Sequence, residues 1–214
     1  MKRTIIAVCA EAFLFACNSA EQKTEDANVA SSESDSKAKT EWIPVDSATA
    51  MQKMMEVGTP GSQHAMLAKS DGNWNAETTM WWTPDGPPQT SKATCTNKMI
   101  FGGRYQQSTF KGDFGGMPFE GTSTTGYDNT KKVFFTSWID NMGTGIMYME
   151  GTWDPATKTA NFKGKSTDAV NKKEMDVREV FTIIDDNTQK MEMYMTTQGG
   201  QEMKTMEIKF TRSK

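Results

Sequence analysis

The chain has 214 residues, with 24 Lys and Arg against 27 Asp and Glu, for a formal net charge of −3. It carries neither a cationic excess nor a Lys/Arg stripe, so no nucleic-acid partner is expected. The length suits one domain with a tail, and 17 Met, 6 Trp and 11 Phe supply a soft, bulky apolar inventory.

Lys2 and Arg3 precede an apolar run ending at Ala16, which reads as a secretory signal peptide over residues 1–16. At about 13 residues this run is shorter than the ~20 that a membrane-spanning helix needs. Leu14-Phe15-Ala16-Cys17 resembles a bacterial lipobox, although Phe15 is bulky for its position and Glu11 interrupts the apolar run. The resemblance implies cleavage before Cys17 and acylation of that Cys, each buried methylene contributing about 0.8 kcal/mol to membrane binding. A bacterial envelope protein anchored through Cys17, most readily in the outer membrane, is therefore expected, with its periplasmic or surface exposure open. An ordinary cleaved leader with Cys17 incidental is the alternative. Residues 17–41 are rich in Ser, Ala, Glu, Asp and Lys and poor in large apolar side chains. They bury too little surface to offset ordering entropy, so a disordered acidic linker is expected there.

Residues 42–214 form the expected folded domain. Ser47 is placed to cap a short helix over 48–57, with Met51, Met54 and Met55 at helical spacing. Gly58-Thr59-Pro60-Gly61 ends it, and a second helix over 62–69 carries His64, Met66 and Leu67. After Ser70-Asp71-Gly72 the pattern becomes strands at about ten-residue spacing: 74–82, 90–100, 104–111, 118–127, 132–139, 146–153, 159–163, 174–184, 190–197 and 202–212. Turn signals such as Gly102-Gly103, Asp128-Asn129 and Asp154-Pro155 separate them. Links this short force antiparallel neighbours, and so long a meander closes to remove its edges. The expectation is an all-β fold, a single antiparallel barrel of about 8–10 strands with one or two short N-terminal helices.

Alternation identifies candidate interior faces. Met191, Met193 and Met195 share one face, and Met206, Ile208 and Phe210 another, broken at its start by Lys204. Val177, Phe181 and Ile183 form a third, interrupted by Glu179. Over 146–153 both faces carry bulk, with Ile146 and Tyr148 opposite Met147, Met149 and Trp153. That predicts an outer covering, assigned to the N-terminal helices.

Gly72-x-Trp74 on the first strand resembles the opening of calycin (lipocalin-like) barrels. The resemblance implies that Trp74 plugs one barrel end and that Arg212 packs over its ring, worth about 0.5–2 kcal/mol. A wider set of segments is similar to the bacterial domain-of-unknown-function 1579 family: Gly102-Gly103-Arg104, Pro118-Phe119-Glu120-Gly121, Thr125-Gly126-Tyr127-Asp128, Trp138-Ile139-Asp140 with Met142-Gly143-Thr144-Gly145, and Glu150-Gly151-Thr152-Trp153-Asp154. His64 ahead of Gly72-x-Trp74 and the Arg178-Glu179 pair fit the same order. This resemblance implies a calycin-like barrel and carries no activity with it.

Cys95 is the one Cys of residues 42–214, which leaves no intramolecular disulfide and reads as a small core residue. His64, the only His, lacks the partners a metal or haem site requires and is expected to pack or cap a helix. Asp140 and Asn141 suit either a cation or polar ligand group at the barrel mouth or, preferentially, the caps of a tight turn. Arg104, Glu120, Tyr127 and Arg178 contain either a buried Arg–Glu pair that anchors a ligand or outward pairs worth under about 1 kcal/mol. The Met stripes suit a Cu(I) site, an adaptable pocket wall or plain core. Nucleophile elbows, P-loops and CxxC pairs are absent from the sequence, so no enzyme and no cofactor are expected.

The favoured reading is a small apolar or amphipathic ligand held by Trp138, Phe181 and Met193, with Arg104, Glu120, Tyr127 and Arg178 as polar candidates. The alternative is a solid barrel that acts as an envelope interaction module through loops 113–117 and 141–145. Oligomeric state is left open.

Overall fold

The computed structural model describes residues 42–197 and 199–214. The leader, Cys17 and the acidic linker lie outside the described residues.

Two helices, α1 (Ser47–Val57) and α2 (Ser62–Ala68), precede ten strands. In chain order these are β1 (Gly72–Met80), β2 (Gln89–Ile100), β3 (Tyr105–Phe114), β4 (Met117–Asp128) and β5 (Val133–Asp140). They continue as β6 (Met147–Asp154), β7 (Thr159–Thr167), β8 (Glu174–Asp185), β9 (Thr188–Thr196) and β10 (Glu202–Arg212). Each strand pairs antiparallel with the next, and β10 returns to β1 with Trp74 opposite Arg212 and Met80 opposite Met206. The result is a closed ten-strand barrel with no free edge, as expected when tight turns join every neighbour.

The core forms two clusters inside this barrel. One gathers Trp74, Ala76, Cys95, Phe110, Ile208 and Phe210, and the other Phe134, Met149, Ala160, Phe162, Val177 and Met193. Both are built from the inward parity of their strands. Lys204 has the same parity as Met206 yet points outward, because a bulge between them resets the register of β10 against β9. Its ammonium then reaches Glu207 at 2.7 Å and Glu192 at 3.4 Å, over the Trp81 ring.

Two local expectations are corrected. Asp46, not Ser47, caps α1, its Oδ1 accepting from the Ala48 and Thr49 amides at 2.9 and 3.0 Å. Both residue types cap well, but the carboxylate accepts both amides and also the Thr49 hydroxyl. The helices also leave the outside of β6 uncovered. Helix α2 contacts β2, β3 and β4, while Ile146 is 68% and Tyr148 48% exposed. Tyr148 stacks on Phe135 and donates its hydroxyl to Glu150 at 2.9 Å, so its polar tip stays wet and no cover is needed.

One barrel end is sealed by α2 and the turn after it. Trp74 Nε1 and Asn97 Nδ2 both donate to the Ser70 carbonyl, at 2.9 and 3.1 Å. Gln106 Nε2 donates to the Leu67 carbonyl (2.6 Å) and to Asp71 Oδ1 (2.9 Å), and Gln189 Nε2 donates to Ser70 Oγ (2.8 Å). Arg212 lies 4.2 Å over the Trp74 ring and donates to the carbonyls of Asp71, Lys69 and Asp186. Gly72 has φ +124°, and a Cβ there would stand 2.8 Å from the Arg212 guanidinium. Glycine at this position thus serves both the backbone bend and the seat of the arginine.

Candidate functional site

Above this floor the barrel encloses a cavity of about 510 Å³, within the range of roughly 300–1,000 Å³ typical of small-molecule sites. Antiparallel order brings the links after odd-numbered strands to the end opposite the plug, where Trp82, Phe114, Phe119, Asp140 and Met142 rim the cavity. Trp82 is 67% exposed and Met142 49%, so apolar lining reaches solvent at this mouth.

The two sides of the wall differ in chemistry. Strands β1–β5 contribute Thr78, Ser91, Ser108, Ser123, Thr125 and Thr136 to the lining. Strands β6–β10 contribute no lining Ser or Thr; their inward positions are mainly Met and Phe, among them Met149, Phe162, Phe181, Met191 and Met193. A chain of aromatic contacts crosses between the sides. Phe119 stacks on Trp138 (6.3 Å), Trp138 meets Phe110 edge-on (5.2 Å), and Phe110 and Phe181 both meet Phe210 (6.1 and 6.3 Å). Trp138 has room for its indole because residue 121 is glycine: a Cβ there would run into the ring.

Ser123, Thr125 and Thr136 form a hydroxyl cluster on the β4–β5 wall. Thr125 donates to Thr136 at 3.2 Å, and the Ser123 and Thr136 hydroxyls are hydrogen-bonded at 3.2 Å, with either as the donor. Two internal bonds use two of the three hydroxyl protons, leaving one donor and several lone pairs to a ligand.

Opposite chemistry stands on β8. Glu179 lines the cavity with Phe162 and Met193 as its register partners and Val177 and Phe181 as its same-face neighbours. This apolar setting pushes its carboxyl up from the usual 4.5 to about 7, with burial the sole cause. Among the described residues neither a hydrogen bond nor an ion pair reaches that carboxylate, and its free surface is that of the cavity.

The sequence-derived candidates divide accordingly. Trp138, Phe181 and Met193 line the cavity. Tyr127 packs against the cluster that holds Phe134, 4.8 Å from the Phe134 ring and edge-on to His64. Arg104, Glu120 and Arg178 do not reach the interior, which corrects the idea of a buried Arg–Glu anchor. Arg104 is exposed and donates to the Phe101 carbonyl, and Glu120 pairs with Lys111 at 3.3 Å on the outer face. Arg178 makes a two-pronged bond to Glu202 and lies 4.0 Å over the Tyr194 ring, on the face opposite Val177 and Glu179. Outward parity satisfies each charge without desolvating it.

Asp140 and Asn141 are held by their own turn. Asp140 accepts from Trp138 Nε1 at 2.7 Å and from the Met142 amide at 2.9 Å, while Asn141 bridges the Glu120 amide and the Pro118 carbonyl. Buried His64 accepts the Gly61 amide on Nδ1 at 3.0 Å, closing the start of α2, and burial lowers its pKa. Burial pushes the Cys95 thiol up to about 12, which leaves it un-ionised and unreactive at ordinary pH. No group of three or more His, Cys, Asp or Glu among the described residues could hold a metal ion.

Glu179 and the hydroxyl cluster were missed as site residues when the sequence was read for apolar stripes alone. Their signal is parity: Ser123 and Thr125 share the face of Phe119, and Glu179 that of Val177 and Phe181.

The model of the family described as protein of unknown function (DUF1579) matches residues 59–212. The chain belongs to this family. The match takes in the whole barrel, its plug and α2. No curated protein matches the chain.

Proposed function

We propose that this DUF1579 protein is a non-enzymatic binding protein that carries one small amphipathic molecule inside its barrel, tethered to a bacterial envelope through acylated Cys17. The cavity of about 510 Å³ carries this reading. Its wall is mainly apolar, with convergent polar groups on one side, the usual composition of a site that both buries and orients a small molecule. Methionines on the apolar side adapt to ligand shape at low cost.

Native mass spectrometry on protein purified gently from a bacterial host tests the reading. A reproducible extra mass that leaves on denaturation is expected. A bare chain that also takes up no added decanol would sink it. Tethering is tested separately by Cys17→Ser, which is expected to release the protein from the membrane fraction.

One observation favours a second reading, an envelope interaction module. Trp82, Met117, Met142, Ile146 and Val170 are all exposed apolar residues at the open barrel end. A partner lost on replacing them with Ser, from a barrel that binds no small molecule, would support it.

A further inference from the structure

Resting on the carrier reading, we infer that the bound molecule carries a cationic, protonated-amine head group, seated against Glu179, with its apolar body along the methionine wall. Three observations carry this inference.

The first is the inventory of charge. Among the described residues, the charged side chains that line the cavity are Glu179, Asp113 and Asp140, with no Lys, Arg or His beside them. Asp113 and Asp140 sit at the mouth and are engaged by their own turns, accepting from the Gly116 amide and from Trp138 and Met142. An anionic head would meet three carboxylates and no counter-charge, which a low-dielectric interior penalises heavily.

The second is that Glu179 has no partner among the described residues. Buried carboxylates are ordinarily paired, and an unpaired one is costly to keep. Here the register partners on both sides, Phe162 and Met193, are apolar, and the carboxylate faces open cavity. The group is therefore aimed at something the protein does not itself supply.

The third is the hydroxyl cluster. An ammonium has three donors, and a single carboxylate does not use them all. The lone pairs of Ser123, Thr125 and Thr136, on the β4–β5 wall of the same cavity, add acceptors and no fixed charge, a lining that favours a donor-rich head over an anionic one. An ammonium also offsets the desolvation cost of ionised Glu179 by providing an opposite charge at close range. Phe181, the same-face neighbour of Glu179 in the lining, puts an aromatic ring beside the head-group seat.

The test compares three probes of one chain length, decylamine, decanol and decanoate, titrated calorimetrically into the full chain and into its Glu179→Gln variant at about pH 8, where the carboxyl is ionised. Decylamine is expected to bind at least about tenfold more tightly than decanol, and decanoate more weakly than either. In Glu179→Gln that preference should shrink to within about threefold, with an unchanged far-UV circular dichroism spectrum reporting an intact fold. Equal binding of decylamine and decanol to the unmodified chain, or an amine preference that survives in Glu179→Gln, overturns the head-group inference and leaves the carrier reading standing. Failure of all three probes to bind overturns both.

Discussion

The two halves of the barrel wall are built by the same backbone and the same alternation, yet they present opposite surfaces to the cavity. Between β6 and β10 the inward positions are mainly Met and Phe, with the single carboxylate of Glu179 set among them. Between β1 and β5 they include Ser and Thr, with aromatic rings on β3 to β5, and the hydroxyls of Ser123, Thr125 and Thr136 bond one another. A soft half accepts bulk without specifying it, whereas a hydroxyl half fixes direction. A cavity with both can hold varied apolar bodies in one orientation.

The largest expected effect comes from placing a cation in the soft half at two different positions. Met149→Lys puts an ammonium where the register partners, Thr136 and Gly164, offer no carboxylate. It should cost at least about 3–5 kcal/mol in chemical denaturation, if the variant folds at all. Met193→Lys puts the same charge directly opposite Glu179. It should keep most of its stability and lose decylamine binding, because it occupies the head-group seat. Equal destabilisation by both would erase the special place of Glu179 in that half.

Next in size is pH dependence. Folded, Glu179 keeps its proton up to about pH 7; unfolded, it releases it near the ordinary 4.5. The folded state therefore binds the extra proton between these values, so this contribution to stability is fully present below 4.5 and is lost as pH rises through 7. The full span is on the order of 3 kcal/mol, visible as a lower denaturation midpoint at pH 8 than at pH 5. Glu179→Gln should flatten that slope and raise stability at pH 8.

A smaller change is expected in the hydroxyl half. Thr136→Val keeps shape but strands the Thr125 and Ser123 hydroxyls, costing about 1–2 kcal/mol and loosening the grip on a polar head. Smallest of all, Cys95 on β2 should stay unmodified by thiol reagents in the native protein and react only on unfolding, since burial holds its thiol at about 12.

Much of the architecture was legible because it depends on local signals. Gly, Asp and Asn turns delimit all ten strands, and the short links leave no choice but antiparallel pairing and closure. Gly72, Trp74 and Arg212 were recognisable as a plug from their resemblance to calycin barrels, and the barrel closure sets Trp74 and Arg212 side by side. The site was less legible. Trp138, Phe181 and Met193 followed from apolar alternation. Arg104, Glu120 and Arg178 failed as interior candidates because charge alone does not tell which parity of a strand faces in. Lys204 shows the same limit from the other side, since one bulge reverses its direction without any mark in the local pattern.

Order, pairing and inward stripes are thus properties of neighbouring residues, and composition and spacing determined them. Cavity volume, the isolation of Glu179 and the meeting of Ser123, Thr125 and Thr136 were decided only by the tertiary structure. Each depends on which side chains face one another across the barrel, and on how much space their packing leaves between distant strands.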